Sequence, residues 1–254
     1  MAAAIKGQPS KLAYLTVDTF RSHACRTSQF RARMQTYATA SASPKITLYT
    51  FGTPNGQKAS IGLEELGLKY KVVEVDITEN VQKEEWFLKI NPNGRIPAIV
   101  DHSRGDFPVF ETGAILMYLA EHHDPKNILL SEDANKRSEA IQWLNWQMGG
   151  LGPMQGQANH FFRYAPENIP YAIKRYQDET KRLYSVMERQ LSDGREYLIG
   201  EYSLADVACF GWGLSLEELP LVDQWLHRAA KRPAVLRGMN VPRKNNLIEN
   251  DFKV

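Results

Sequence analysis

The sequence predicts a small α/β domain followed by an all-helical domain, with a basic segment in front of both. Strand-like and helix-like hydrophobic patterns alternate over residues 45–124. Over residues 131–245 the apolar residues recur only every three or four positions, which is typical of helices. The 254 residues are 43% hydrophobic, which is enough for two small cores and excludes a wholly disordered chain.

Residues 1–44 are expected to lie outside the fold. They carry +5, whereas the rest of the chain carries −3, and they are rich in Ser and Thr. That composition suits a mitochondrial transit peptide, and no apolar stretch follows the early lysines as a secretory signal requires. A disordered tail, or translation that begins at Met34, remains an alternative.

The α/β region reads as strand, helix, strand, a short helical stretch, then strand, strand and helix. A right-handed crossover makes the first two strands parallel, and the last two can form a hairpin. Gly67 ends the first helix in the manner of a left-handed cap. The patterns are carried, in order, by Ile46 and Leu48; by Ala59, Leu63 and Leu66; by Val73, Val75 and Ile77; by residues 96–100; by residues 107–110; and by Ile115, Leu116 and Leu119.

The helical region contains one long amphipathic helix and several shorter ones. Ser203 and Asp206 have the spacing of a capping box and predict that a helix starts there. The apolar positions are Trp143, Leu144 and Met148; Ile173, Tyr176, Thr180, Leu183, Met187 and Leu191; and Val222, Trp225, Leu226 and Ala229.

Composition also excludes several functional classes. The mildly acidic body offers no basic surface for nucleic acid, and no run approaches the ~20 apolar residues of a membrane span. Cys25 and Cys209 are too few for a disulfide framework, which favours a reducing intracellular compartment. We expect the cytoplasm, or the mitochondrial matrix if residues 1–44 are a transit peptide.

Three further features are interpreted as structural. His122 and His123 are adjacent, so they point apart on a helix, and we expect a solvated helix end and no metal site. Cys209 lies among apolar residues and is interpreted as an inert core thiol. The segment 150–152 resembles a dinucleotide motif, but it follows a helical pattern and Pro153 removes a donor.

Candidate chemistry begins where the first strand meets the first helix. Thr53 supplies a hydroxyl and Asn55 an amide at this helix N-terminus, where unpaired N–H groups favour an anion or a thiolate. The same residue types are also common as ordinary helix caps.

Two more segments supply polar groups. A cis bond between Ile96 and Pro97 would turn the Ile96 backbone towards a peptide-like ligand, although a trans edge proline is the commoner case. Glu111 could accept an ammonium while Thr112 holds a carboxylate, or Glu111 could simply cap the third helix. Together these groups match the needs of a γ-glutamyl tripeptide thiol.

These motifs resemble the thioredoxin-fold domain of glutathione S-transferases. The segments 53–56, 91–101 and 111–116 carry this resemblance. The segments 149–157 and 170–176 narrow it, because they are similar to the branch of the nu-class disulfide-bond oxidoreductases and the yeast nitrogen-catabolite regulator. The resemblance implies that Asn55 and Thr53 hold the sulfur of glutathione and that Ile96 pairs with its cysteinyl backbone. It further implies that Glu111 and Thr112 bind the γ-glutamyl end, and that Arg175 reaches glutathione from the helical domain, across a dimer if need be.

The function implied is conjugation of the glutathione thiolate to a small electrophile by a homodimer. A role in detoxification, stress defence or secondary metabolism would fit such an enzyme. The alternatives are glutathione-dependent disulfide reduction, or a non-catalytic regulator that keeps the fold. His160, Phe161, Phe162 and Tyr164 are the expected lining of the electrophile pocket.

The chain departs from the family at two places. Thr112 stands where family members usually carry Ser, and both residues keep a hydroxyl. Between Cys209 and Pro220 the chain is several residues shorter than the family's helix and following turn. This shortening could affect stability or the pocket for the second substrate.

Overall fold

The computed structural model describes residues 35–37, 44–213 and 218–244. Within these ranges five strands form one mixed sheet, with the order β1–β3–β2–β4–β5. The strands are β1 (Gln35–Tyr37), β2 (Ile46–Thr50), β3 (Tyr70–Glu74), β4 (Ala98–Asp101) and β5 (Phe107–Phe110). Strands β2 and β3 are parallel, and β4 and β5 are antiparallel neighbours, as the sequence predicts.

Apolar side chains on the two sheet faces pack against different helices. On one face, Ile46 and Leu48 form a core with helices α1 (Pro54–Glu65) and α3 (Thr112–His123). On the other face, Phe87 of the short helix α2 (Glu85–Leu88) packs with Val75 and Ala98. Gly67 adopts a positive φ of 61° directly after the α1 cap, which confirms the predicted left-handed stop.

Two strand boundaries differ from the sequence prediction. Strand β3 ends at Glu74, because the Asp76 side chain accepts the Thr78 N–H and starts a 3-10 turn that contains Ile77. Strand β4 begins at Ala98, two residues later than predicted, since Pro97 has no N–H to offer a neighbouring strand.

The second domain is helical, as predicted. Its central helix, Leu204–Phe210, is buried along its whole length and begins with a complete capping box between Ser203 and Asp206. The Asp206 carboxylate also accepts the indole N–H of Trp225 at 2.8 Å, which ties two helices together. The helices are α4 (Ala134–Trp146), α5 (Gly152–Asn159), α6 (Pro170–Gln190), α7 (Leu204–Phe210), α8 (Pro220–Ala230) and α9 (Pro233–Met239), with π-helical turns at Gln147–Leu151 and His160–Tyr164.

The two domains are joined through α1 and α9. Gly238 lies so close to α1 that an added Cβ would be 2.7 Å from the backbone of Ile61. The Ser60 hydroxyl donates to the Gly238 carbonyl at 2.7 Å, and Arg232 forms two 2.8 Å hydrogen bonds with Glu65. These contacts fix the helical domain against the helix that carries Thr53 and Asn55 at its start.

Part of the predicted leader contributes to the sheet. Gln35–Tyr37 pairs antiparallel with β3, which departs from the expectation that residues 1–44 lie outside the fold. Three residues are too short to give a strand pattern in the sequence, and the pairing is made by backbone groups at the open edge of β3. Residues 1–34, 38–43, 214–217 and 245–254 lie outside the described ranges, and so does part of the segment after Cys209 that is expected to be shortened. Among the helices described, none is long and apolar enough to cross a membrane.

Candidate functional site

A cavity of about 750 Å³ lies between the two domains, where α1 and α3 begin. Five of the six site residues predicted from the sequence line it: Thr53, Asn55, Ile96, Glu111 and Thr112. They come from three separate segments, which the sheet brings to one edge.

The first wall is the N-terminus of α1. Thr53 has extended backbone angles and caps the helix, and its Oγ1 accepts the Gly56 N–H at 3.1 Å. Because this bond uses only a lone pair, the hydroxyl proton remains able to donate to a ligand. Thr53 therefore fits both the capping role and the sulfur-binding role.

Asn55 lies one residue into the first turn of α1. Its Oδ1 accepts a hydrogen bond from the indole Nε1 of Trp212 at 3.1 Å. This contact assigns the oxygen of the carboxamide to Trp212, so the Nδ2 hydrogens are the groups that can serve a ligand.

The loop before β4 forms the second wall. The Ile96–Pro97 bond is cis, which is the geometry that the peptide-binding interpretation requires. The buried side chain of Asn91 shapes the loop: its Nδ2 donates to the Arg95 carbonyl at 2.6 Å, and its Oδ1 accepts the Asn93 N–H at 2.9 Å.

The start of α3 forms the third wall. Glu111 has a positive φ of 70°, which is uncommon for a residue with a side chain outside turns, and such strained residues cluster at functional sites. Its carboxylate makes no capping bond to the helix, and Asn93 Nδ2 approaches it at 3.4 Å. The buried Thr112 hydroxyl donates to the sulfur of Met148 at 3.2 Å. The plain capping role of Glu111 therefore does not describe this site.

The structure adds residues that sequence reasoning missed. Arg95 lines the cavity beside Ile96 and brings a positive charge to it. Lys58, one helical turn after Asn55, is buried, and its Nζ donates to Gln147 Oε1 at 2.6 Å. Burial lowers the pKa of Lys58 to about 7, although the nearby Cys209 and Glu111 act in the opposite direction. The available signal was weak: Lys58 lies three and four residues before Ile61 and Gly62, which share its helix face and are also buried.

Arg175 is not brought to this cavity within one chain. It is exposed on α6, and it does not line the cavity that the five other residues share. The four residues expected to line an electrophile pocket lie in the turn His160–Tyr164, and they are also absent from the cavity wall. Phe161 instead stacks on Tyr176, with ring centroids 5.5 Å apart.

The remaining sequence candidates have structural roles, one of them unexpected. Cys209 is fully buried, which raises the pKa of its thiol and fits an inert core residue. His123 departs from the predicted solvated helix end, because its Nε2 lies 2.6 Å from the buried Asp101 carboxylate. Among the residues described, no cluster of three or more His, Cys, Asp or Glu side chains could hold a metal ion.

Comparisons with known proteins agree with this geometry. The family model for the glutathione S-transferase N-terminal domain matches residues 44–121. The disulfide-bond oxidoreductase YfcG of Escherichia coli (strain K12) is 46% identical over 201 residues, which cover 74% of this chain and 92% of that protein.

Two solved structures are similar over most of the chain. One is a glutathione transferase homolog from Lodderomyces elongisporus with two GSH per subunit, at a TM-score of 0.75 and 41% identity, covering 79% of this chain and 100% of that one. The other is the glutathione transferase URE2P6 from Phanerochaete chrysosporium in complex with oxidized glutathione. Its TM-score is 0.73 and its identity is 38%, and the match covers 77% of this chain and 94% of that one. The chain therefore belongs to the glutathione S-transferase family, in the branch of the disulfide-bond oxidoreductases and the Ure2-like proteins.

Proposed function

We propose that this chain binds glutathione in the cavity between its domains and uses the glutathione thiolate to reduce small disulfides. The observation that carries the proposal is the meeting of Thr53, Asn55, Ile96, Glu111 and Thr112 around one cavity. A volume of about 750 Å³ lies within the range of small-molecule sites.

Each part of glutathione has a matching group on the cavity wall. Glu111 accepts the γ-glutamyl ammonium, and Thr112 donates to the adjacent carboxylate through its backbone N–H and through its hydroxyl, which exchanges the weak sulfur acceptor of Met148 for the carboxylate. The Ile96 backbone pairs with the cysteinyl residue in the manner of an added strand. Arg95 offers a cation for the glycyl carboxylate at the far end.

The thiol is activated at the start of α1. The Thr53 hydroxyl and the Asn55 amide donate to the sulfur, and the helix N-terminus adds partial positive charge. Lowering the thiol pKa from ~8.5 by about two raises the thiolate fraction at pH 7 from about 3% to about three quarters. The differential interaction required is about 2.7 kcal/mol, which two hydrogen bonds to an anion can supply.

The reaction is two successive thiol–disulfide exchanges. The bound thiolate attacks one sulfur of the substrate disulfide, forms a mixed disulfide, and releases the other sulfur as a thiolate that takes up a proton. A second glutathione thiolate attacks the glutathione sulfur of the mixed disulfide, which gives oxidised glutathione and the second thiol. Glutathione supplies both electrons, so the inert Cys209 is not needed.

Two observations favour disulfide reduction as the leading reaction. Besides the residues assigned to glutathione, the cavity is lined by the amides of Gln82 and Gln157, which suit a second peptide-like unit better than an apolar electrophile. The similarity to YfcG, a disulfide-bond oxidoreductase, and to URE2P6, whose structure holds oxidised glutathione, supports the same reaction.

Conjugation of glutathione to a small electrophile is the second candidate. It needs the same sulfur subsite, and Met148, Pro153 and Trp212 give the cavity one less polar side where an electrophile could lie. The similarity to URE2P6, a glutathione transferase, supports this option.

We also propose that the active form is a homodimer in which Arg175 reaches the glutathione of the partner. Arg175 lies on α6 near a surface where Phe162, Tyr164 and Tyr171 are exposed. Such aromatic surfaces often mark interfaces between subunits.

The test is to assay the full chain with glutathione against a mixed disulfide and against an aryl halide. We expect faster turnover of the disulfide, loss of both rates in Asn55→Ala, and a larger loss of disulfide reduction than of conjugation in Arg175→Ala. Asn135→Ala, at the exposed start of α4, is the matched control. Tight glutathione binding without either reaction would overturn the enzymatic proposal and favour a regulator.

A further inference from the structure

The backbone carbonyl and the backbone N–H of Trp212 are both held by hydrogen bonds. Its carbonyl accepts hydrogen bonds from Gln155 Nε2 at 3.0 Å and from the buried Tyr184 hydroxyl, and its N–H donates to the Cys209 carbonyl at 3.1 Å. These partners come from α5, α6 and α7, so the position of Trp212 is set by the packed helical domain.

Glycines allow Trp212 to come close to α1. At Gly211, an added Cβ would lie 2.5 Å from the carbonyl oxygen of Pro54, so only glycine lets the end of α7 approach the start of α1 this closely. Gly156 faces the Trp212 ring, and a Cβ there would meet the ring at 3.5 Å. The indole therefore has one edge directed at the first turn of α1.

That edge carries the N–H that binds Asn55 Oδ1 at 3.1 Å. A carboxamide can be turned by 180° at small steric cost, and the turned form would present its oxygen to the cavity. An oxygen acceptor beside a thiolate repels it, whereas the amide hydrogens stabilise it. The indole N–H can satisfy only the first form, because a donor cannot pair with Nδ2.

We propose that Trp212 is a positioning residue that fixes the Asn55 carboxamide so that its hydrogens point at the glutathione sulfur. This inference rests on the proposed function, since it assigns the sulfur to Asn55. It also gives a role to the segment that directly follows Cys209.

The decisive measurement is the pKa of the glutathione thiol in the complex, followed by thiolate ultraviolet absorbance as the pH is varied. Trp212→Phe keeps an aromatic ring and removes the N–H. We expect it to raise the bound thiol pKa by about 1, with about a threefold loss in kcat at pH 7, as the thiolate fraction falls from about three quarters to about one quarter, and little change in KM for glutathione.

Trp225→Phe is the matched control. It also loses one indole hydrogen bond, to Asp206 at 2.8 Å, but it lies outside the cavity. We expect this variant to lose stability without a change in the thiol pKa. An equal rise in both variants would mean that Trp212 acts only through general stability, and it would overturn the proposal.

A double-mutant cycle tests the route through Asn55. If Trp212 acts by orienting Asn55, then Trp212→Phe should add nothing in an Asn55→Ala background. Additive effects would overturn the proposal. Should Trp212→Phe not fold, Tyr184→Phe loosens the Trp212 carbonyl and keeps the indole, and a smaller rise in thiol pKa is expected; no rise would overturn the proposal.

The thiol pKa also separates this inference from the proposed function. If the unmutated chain lowers the thiol pKa yet catalyses neither reaction, the proposed enzyme is wrong while the Trp212 inference is still decided by its variants. If Asn55→Ala raises the thiol pKa and Trp212→Phe does not, only the Trp212 inference fails.

Discussion

Replacing Lys58 with Met should stabilise the protein at low pH and have little effect at high pH. Lys58 is almost fully buried on α1, and its ammonium is bonded to the neutral amide of Gln147. Burial lowers the pKa of Lys58 from 10.5 to about 7, despite the opposing influence of Cys209 and Glu111. The folded state therefore holds this proton much more weakly than the unfolded state does.

The size of the effect follows from linkage. Below about pH 7 the charged Lys58 costs the folded state up to about 5 kcal/mol, because each pKa unit corresponds to about 1.4 kcal/mol. Between about pH 7 and 10.5 the unfolded chain binds more protons, so the free energy of unfolding rises with pH. Lys58→Met removes this cost but leaves Gln147 Oε1 without its donor, at about 1–3 kcal/mol. We expect a net gain of about 2–4 kcal/mol near pH 6 that falls to about zero near pH 9.

Denaturant unfolding at several pH values measures the difference directly. Lys126→Met, at an exposed lysine, is the control and should show no pH-dependent difference from the unmutated chain. A difference between Lys58→Met and the unmutated chain that stays constant with pH would show that Lys58 ionises normally, and it would refute the reasoning.

Three other changes test separate parts of the molecule. Glu111→Gln should weaken glutathione binding by about 1.5–3 kcal/mol, the value of a hydrogen bond to a charged group; unchanged affinity in calorimetry would remove Glu111 from the site. Gly238→Ala should destabilise by about 1–3 kcal/mol, because its Cβ would lie 2.7 Å from the Ile61 backbone, and an unchanged denaturation midpoint would contradict this packing. Burial acts to raise the pKa of Asp101, but hydrogen bonds from Ser103, His123 and Tyr118 outweigh it and lower the pKa to about 2. The stabilisation from this carboxylate is therefore present above about pH 4 and is lost as the pH falls towards 2. When the free energy of unfolding is measured across this range, Asp101→Asn should lose about 2 kcal/mol less than the unmutated chain does.

The sequence by itself determined the order of the elements and the helix N-terminus at which we propose the thiolate binds. Alternation at Ile46 and Leu48 and the 3–4 spacing along α6 are local properties, so they can be recognised without any knowledge of the fold. The same holds for the Thr53 cap and for the capping box that starts α7. The ends of strands were harder to predict from the sequence. Strand β3 ends at Glu74, because the Asp76 side chain accepts a backbone N–H there and starts a turn.

Only the tertiary structure decided which groups act together. Thr53, Ile96 and Glu111 lie far apart in sequence, and the sheet order places them at one edge. The indole of Trp212 is 157 residues from Asn55, yet it sets the direction of the Asn55 amide. Burial of Lys58 and pairing of His123 with Asp101 likewise depend on neighbours supplied by other elements. Such contacts are set by packing, so no local pattern could have predicted them.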